Sequence, residues 1–331
     1  EDYLFYERFH IDVALLRGTK ADINGNISME DEPIKTEYLS MAQAAKTCGG
    51  KVYVQVLSES TRLLSPNKID LPSHLVDGYI ITNDIENDHR QTNKYVNHKG
   101  LLNHGNYDEK IETINDPVFK KVIAKKTLEH INPAAKIILG QGVPELVGVI
   151  ARKKPDTYNN LVTFMESGVI GGIPERRPDF GVAFNPSAFL SQDNQFVGFN
   201  GGHLDMAILS FVEFDQFGNV NVSQLGDDYF GCGGYIDICH GVKNILFIGS
   251  FTAKGLEVEQ SQSKILIKKE GIIRKAVKNV REITFNPTLH NQRKDNIRII
   301  TERCSFVIAD GKVILSEVFE GIDIKKDILD Q

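Results

Sequence analysis

Residues 164–174 read FMESGVIGGIP, a stretch in which a short apolar run at 161–165 delivers one carboxylate, Glu166, into a glycine-rich turn. Gly168, Gly171 and Gly172 let bare backbone approach it, so N–H groups and a carboxylate are expected to share one small site. A carboxylate of ordinary pKa, about 4.3, is ionised at neutral pH and is a nucleophile that needs no general base. It attacks amides and esters poorly. A thioester suits it, because the thiolate of a thiol with pKa about 8.5 leaves readily. For an arbitrary Glu-Ser-Gly the commoner role is a cap or turn carboxylate, and the segments around it decide between the two.

Two further segments bear on that choice. GQGVPE at 140–145 follows an apolar run and opens a helix, with Pro144 near its first position. Backbone N–H groups around Gly140 and Gly142, with the helix dipole behind them, suit an anion. A tight strand-to-helix turn explains the same residues, and the third glycine of a dinucleotide fingerprint is absent. GCGGYID at 231–237 packs three glycines into one turn. Such a turn can aim N–H donors at a developing oxyanion, as thioester chemistry requires. Gly233 and Gly234 are both candidates, and the residues do not choose between them. A plain glycine turn is the structural alternative. Cys232 lies inside it, but no His stands nearby in sequence to activate the thiol.

The elements that position these residues form a repeat. Residues 11–28 and 204–221 match at a constant offset of 193, pairing Asp12 with Asp205, Asp22 with Asp215, Gly25 with Gly218 and Asn26 with Asn219. Each copy reads as a buried strand and a turn into a second strand, and each is followed by a further apolar run, at 52–56 and 245–249. Helices are expected at about 36–47 and 117–131, and strands at 11–16, 51–57, 136–139, 205–210 and 245–248. Strands alternating with helices predict a duplicated α/β fold with an open, mostly parallel sheet and flanking helices, and with every motif beyond the carboxyl end of a strand. The expected division is 1–82 for the later part of the first copy, 83–116 for a polar, partly mobile connection, and 117–331 for the second copy. The first copy has no counterpart of the segment around Glu166, which would fall before residue 1. The complete polypeptide is therefore expected to be longer, with a missing amino-terminal half of the first repeat.

Composition narrows the class. With 331 residues, 41% hydrophobic and 25% charged, the chain can bury a core for two domains. The net charge of −6 and the lack of a basic, aromatic-lined face argue against nucleic acid. No apolar run nears the roughly 20 residues of a membrane span. Cys48, Cys232, Cys239 and Cys304 fit no zinc spacing and predict reduced thiols in a cytoplasmic protein. No metal or redox cofactor is expected.

The glutamate segment resembles the E-S-G-x-x-G-G motif of the family I CoA-transferases, and GCGGYID resembles that family's G-x-G-G-x-x-D segment. The resemblance runs nearly end to end, through RGTKADINGNISMEDE at 17–32, HRQT at 89–92, LEVEQSQSKILIKKEGIIRK at 256–275, TERCSFVI and EGIDIKKDIL. It looks closest to the single-chain acetate/propionate type. It implies the CoA-transferase and sugar-phosphate-isomerase-like architecture, Glu166 as covalent nucleophile, and an oxyanion donor at Gly233 or Gly234. It implies substrate contacts at Gly140, Gly142, Gly201, Gly202 and Lys254, the last against a CoA phosphate unless it is simply solvated. His203 stands in FNGGHLD where the family usually has a third glycine, and would narrow the acyl pocket unless it is structural. ERRPDF at 175–180 is Arg-rich where the family often has small residues. The implied activity moves CoA from a short-chain acyl-CoA to a small acid of the acetate, propionate or acetoacetate class, by ping-pong chemistry in a homo-oligomer. CoA and acyl-CoA are then substrates, not cofactors. The alternatives are an acyl-CoA hydrolase using the same glutamate, a non-catalytic CoA-binding subunit, and a sugar-phosphate isomerase.

Overall fold

The offset of 193 in the sequence is an offset of 193 in the backbone. In the computed structural model, which describes residues 5–103, 115–289 and 296–331, strand Val13–Arg17 pairs in parallel with Lys51–Val56 starting at Val13 opposite Lys51. Strand Met206–Leu209 pairs in parallel with Asn244–Ile248 starting at Met206 opposite Asn244. The two turns also share their bonding. The Asp22 carboxylate accepts the N–H groups of Asn24 and Asn26, both at 2.9 Å. Asp215 accepts those of Phe217 and Asn219 at 2.9 and 3.0 Å. An Asp that satisfies two loop N–H groups fixes the turn, and Gly25 and Gly218 supply the positive φ it needs.

The second copy is built on a nine-stranded sheet. Its centre is five parallel strands in the order Val162–Phe164, Lys136–Leu139, Met206–Leu209, Asn244–Ile248 and Asn296–Ile300, with antiparallel strands at both edges. These strands are apolar on both sides because both faces are covered. Ile137, Leu139, Met206, Ile208 and Leu246 pack beneath helices Val118–Leu128 and Val143–Arg152. The alternate residues Ile138, Ala207, Leu209 and Phe247 pack against Phe199, Tyr235 and Ile238 of helices Gln192–Asn200 and Tyr235–Gly241. The chain runs from Lys136–Leu139 to a neighbour on one side and then crosses to Met206–Leu209 on the other. The sheet order therefore reverses between these two strands, and a crevice opens at their carboxyl ends.

The first copy holds a smaller parallel sheet, Val13–Arg17, Lys51–Val56 and Gly78–Ile81, with helix Tyr38–Thr47 on one face. The connection expected over 83–116 is packed where it is described. His89 is fully buried, its Nε2 3.0 Å from Glu32 Oε1, while Arg17 Nε donates to Glu32 Oε2 at 2.6 Å. Leu101 is buried against Val182 and Phe184. Residues 83–103 thus make buried polar and apolar contacts on both sides. Residues 104–114 of that expectation lie outside the described residues, as do 1–4 of the first copy.

Candidate active site

Glu166 stands two residues beyond strand Val162–Phe164, at the tip of a reversal closed by Met165 N–H to Val169 O and Gly168 N–H to Met165 O, each 3.0 Å. Gln195 from helix Gln192–Asn200 donates its side-chain amide to Met165 O and anchors the turn from behind. Gly168, at φ +102, is required because any Cβ there would run into the Leu190 carbonyl. The Glu166 carboxylate is half-buried, and its Oε1 accepts the Gly234 N–H at 3.1 Å. Burial raises its pKa above the ordinary carboxylate value, and the Gly234 N–H pulls in the opposite direction.

The glycines nearest Glu166 in sequence do not supply that donor. Gly171 N–H is committed to Thr163 O at 2.7 Å. A Cβ on Gly171 or Gly172 would strike Ser187 or the Phe184 carbonyl, so both are bare to let the hairpin at 169–189 close. The expectation that these three glycines surround Glu166 gives way to one N–H from a segment 68 residues later.

Glu166, Gly140 and Gly233 line one cavity of about 680 Å³, with Gln141, Arg177 and Phe211 among its other walls. It occupies the crevice where the sheet order reverses. Cys232 lines it as well, as a free thiol. A second hollow of about 620 Å³, holding Lys94, Lys120 and Arg176, adjoins it across Gln141, Arg177 and Ser210. A further hollow of about 770 Å³ lies beside Arg152 and Asn160, near the amino end of strand Val162–Phe164 and away from Glu166.

The six expected substrate contacts fall in three places. At the helix amino end, Gly142 N–H donates to Glu145 Oε1 at 2.9 Å, the half of a capping box that a glycine cap can form. Burial raises the Glu145 carboxyl, while backbone N–H groups of Gly142 and Arg177 favour its charged form. Gly140 lines the cavity, but its N–H is spent on Ile208 O at 2.9 Å. Neither glycine has that N–H free for an anion. Gly201, Gly202 and His203 terminate helix Gln192–Asn200, their N–H groups going to Val197, Phe199 and Gly198 carbonyls. They precede strand Met206–Leu209 and so sit at its amino end, opposite Ser210 and Phe211. His203 stacks edge-on against Phe164, with ring centroids 5.7 Å apart, and does not narrow the cavity. Lys254 is exposed in a turn at φ +56, outside the cavity walls. GCGG reaches the site from a hairpin at 224–229, not from the end of a sheet strand.

Arg177 and Gln141 were not candidates from sequence, although the Arg-rich ERRPDF segment marked the place. Glu145 is legible in the sequence as the third helical residue after a glycine cap. Among the described residues no group of three or more His, Cys, Asp or Glu could hold a metal. No helix among them is long and apolar enough to cross a membrane.

The chain is similar in sequence and in fold to several known proteins. No protein-family model matches the chain. It is 37% identical over 341 residues to a caffeate CoA-transferase of Acetobacterium woodii, covering 100% of this chain and 64% of that protein. It is 33% identical over 336 residues to the acetate CoA-transferase YdiF of Escherichia coli K12, covering 100% of this chain and 62% of that protein. The crystal structure of acyl-CoA transferase YdiF apoenzyme from Escherichia coli O157:H7 superimposes with a TM-score of 0.87 at 31% identity, over 97% of this chain and 60% of that one. A structure of the same enzyme as a thioester complex with CoA gives 0.86 at 30% identity, with the same coverage. These likenesses define a CoA-transferase fold. Within that class, the chain belongs to the family I CoA-transferases. It spans about three-fifths of the length of these relatives.

Proposed function

We propose that the protein containing this chain transfers CoA from an acyl-CoA to a carboxylic acid, with Glu166 as the nucleophile. The observation that carries the reading is the half-buried Glu166 carboxylate at the rim of an apolar cavity, with the Gly234 N–H on its oxygen. Glu166 attacks the thioester carbonyl, the C–S bond breaks, and an acyl-glutamyl anhydride and CoA thiolate result. The thiolate attacks the glutamyl carbonyl, the anhydride C–O bond breaks, and the first acid leaves as its carboxylate from a glutamyl-CoA thioester. A second carboxylate reverses both steps and departs as the new acyl-CoA. The Gly234 N–H is the oxyanion donor we assign, in preference to Gly233. The relatives are named for caffeate and for acetate, and a cavity of about 680 Å³ has room for acids across that range. Residues 117–331 are assigned as the catalytic repeat, and 1–82 as part of the first repeat. Homo-oligomeric assembly and a cytoplasmic setting belong to the same proposal.

Intact mass of the protein with and without propionyl-CoA tests it. The expected result is a gain of one CoA on Glu166 that hydroxylamine removes. Noncovalent acyl-CoA binding with no adduct would replace the transferase reading with that of a binding subunit.

A further inference from the structure

Among the described residues, the wall of the cavity beside Glu166 holds one other charged side chain, Arg177. Its neighbours in the adjoining hollow are spent. Arg176 Nη2 donates to Asp116 Oδ1 at 2.6 Å, Lys120 shares that carboxylate at 4.0 Å, and Lys94 lies over the Tyr95 ring. Arg177 donates from Nη2 to the neutral Gln141 side chain and forms no ion pair among the described residues. Its other four donors have no partner among the described residues. Its backbone is pinned at the amino end of helix Val143–Arg152, where its N–H and that of Gly142 meet the buried Glu145 carboxylate. Glu145, Glu175 and Asp179 are the carboxylates facing the adjoining hollow, and none of them lines the Glu166 cavity.

Charge alternates at this site if Glu166 is the nucleophile, a premise this inference takes from the proposed function. At rest, the Glu166 carboxylate and the Arg177 guanidinium balance. Once Glu166 is a neutral thioester, the guanidinium is the cavity wall's remaining charge, and an anion entering the cavity offsets it. A planar guanidinium matches a carboxylate with two parallel N–H donors. We infer that Arg177 binds the acceptor acid, holding its carboxylate against the glutamyl-CoA thioester while Gln141 fixes the orientation of the guanidinium. The bound carboxylate oxygen then attacks the glutamyl carbonyl and CoA leaves as thiolate. That thiolate attacks the acyl carbonyl of the anhydride, and the electron pair returns to Glu166, again opposite Arg177.

The test loads the full chain with CoA from propionyl-CoA, removes excess donor, and follows loss of the adduct by mass against acetate concentration. The neutral nucleophile hydroxylamine runs in parallel. Arg177→Ala is expected to raise the half-saturating acetate concentration roughly 10- to 100-fold and to leave hydroxylamine cleavage unchanged. Arg177→Lys is expected to fall between, and added guanidinium ion to restore Arg177→Ala in part. Unchanged acetate dependence in Arg177→Ala overturns the inference, as does parallel slowing with acetate and hydroxylamine, which marks a structural role. If Arg177→Ala does not load, the same comparison on Arg177→Lys decides. A wild-type protein that never loads refutes the transferase reading instead.

Discussion

Substituting Gly234 by Ala puts a methyl group where the structure has no room for one. The backbone there, at φ −81 and ψ 6, is open to any residue, so no backbone strain enters. The new Cβ would lie well inside contact distance of Glu166 Oε1 and of the Phe196 ring, with Phe196 Cε1 at 2.7 Å. Phe196 is held edge-on by Phe199 at 5.2 Å within helix Gln192–Asn200. The carboxylate is the easier group to displace, and it swings off the Gly234 N–H. The displaced carboxylate then reacts with the Gly234 N–H out of line with the developing oxyanion, where losing a hydrogen bond to a charged group costs about 1.5–3 kcal/mol, or roughly 10- to 150-fold in rate. The upper end approaches the effect of deleting an oxyanion donor, roughly 100- to 1,000-fold in kcat. Gly233 is the control. At φ +53 a side chain is strained by about 1–2 kcal/mol, but nothing lies within 4 Å of its Cβ position. Rapid-quench mass spectrometry of CoA-adduct formation, with urea unfolding alongside, separates the two variants. Gly234→Ala is expected to load slowly, and Gly233→Ala to lose stability while loading nearly as wild type. Loading by Gly234→Ala at the wild-type rate, or a larger loss in Gly233→Ala, refutes this account of the donor.

Other outcomes follow from the same geometry. Adduct formation needs ionised Glu166, so its rate should fall with decreasing pH through a midpoint above the ordinary carboxylate range, because burial raises that pKa. A raised carboxyl pKa means the folded state binds the proton more tightly, so the penalty is absent below the ordinary pKa and complete above the folded one. Glu166→Gln should accordingly raise Tm at about pH 7 while abolishing the adduct, with the difference in Tm vanishing near pH 4. Arg303 is fully buried, its Nε 2.6 Å from Glu302 and its Nη1 2.6 Å from Glu270 and 2.7 Å from the Asp327 carbonyl. Arg303→Met leaves those carboxylates unmatched and is expected to cost about 3–5 kcal/mol in urea unfolding.

The readable parts of this protein are those written locally. Stretches such as 137–139 and 206–209 show as uninterrupted apolar runs because both their faces are covered, and Glu166 shows because a carboxylate interrupts that pattern at a strand end. The repeat shows because Asp22 and Asp215 each bond within four residues of themselves. What sequence concealed lies in long-range pairing. The donor to Glu166 comes from 68 residues away, and either of two adjacent glycines fits the motif equally well. FNGGHLD looks like a binding loop because glycines that end a helix and glycines that admit a ligand are the same residues in a string. Glu32 and His89 are buried and bonded to one another, with Arg17 on the same carboxylate, and no period reveals this, which is why a stretch that reads as a polar connection is packed.

The equality of register between the two copies allows one last comparison. Val13, Leu15 and Tyr53 stand at the positions of Met206, Ile208 and Leu246. The second set is buried, Ile208 and Leu246 at 0% exposure, beneath helices Val118–Leu128 and Val143–Arg152. The first set is open, with Leu15 at 75% exposure, and Ile80, on strand Gly78–Ile81 across Lys51–Val56, is at 68%. Strand Val13–Arg17 also lacks, among the described residues, the second parallel neighbour that Lys136–Leu139 gives to Met206–Leu209. A contiguous apolar face next to an unpaired strand edge drives association unless something covers it. The 331-residue chain by itself is expected to self-associate through this face. Leu15→Lys combined with Ile80→Lys should shift it toward monomer in sedimentation velocity without lowering Tm, because neither side chain contributes to the core. Unchanged association in the double variant, or a loss of several degrees in Tm, would show that the face is not the free surface its exposure implies.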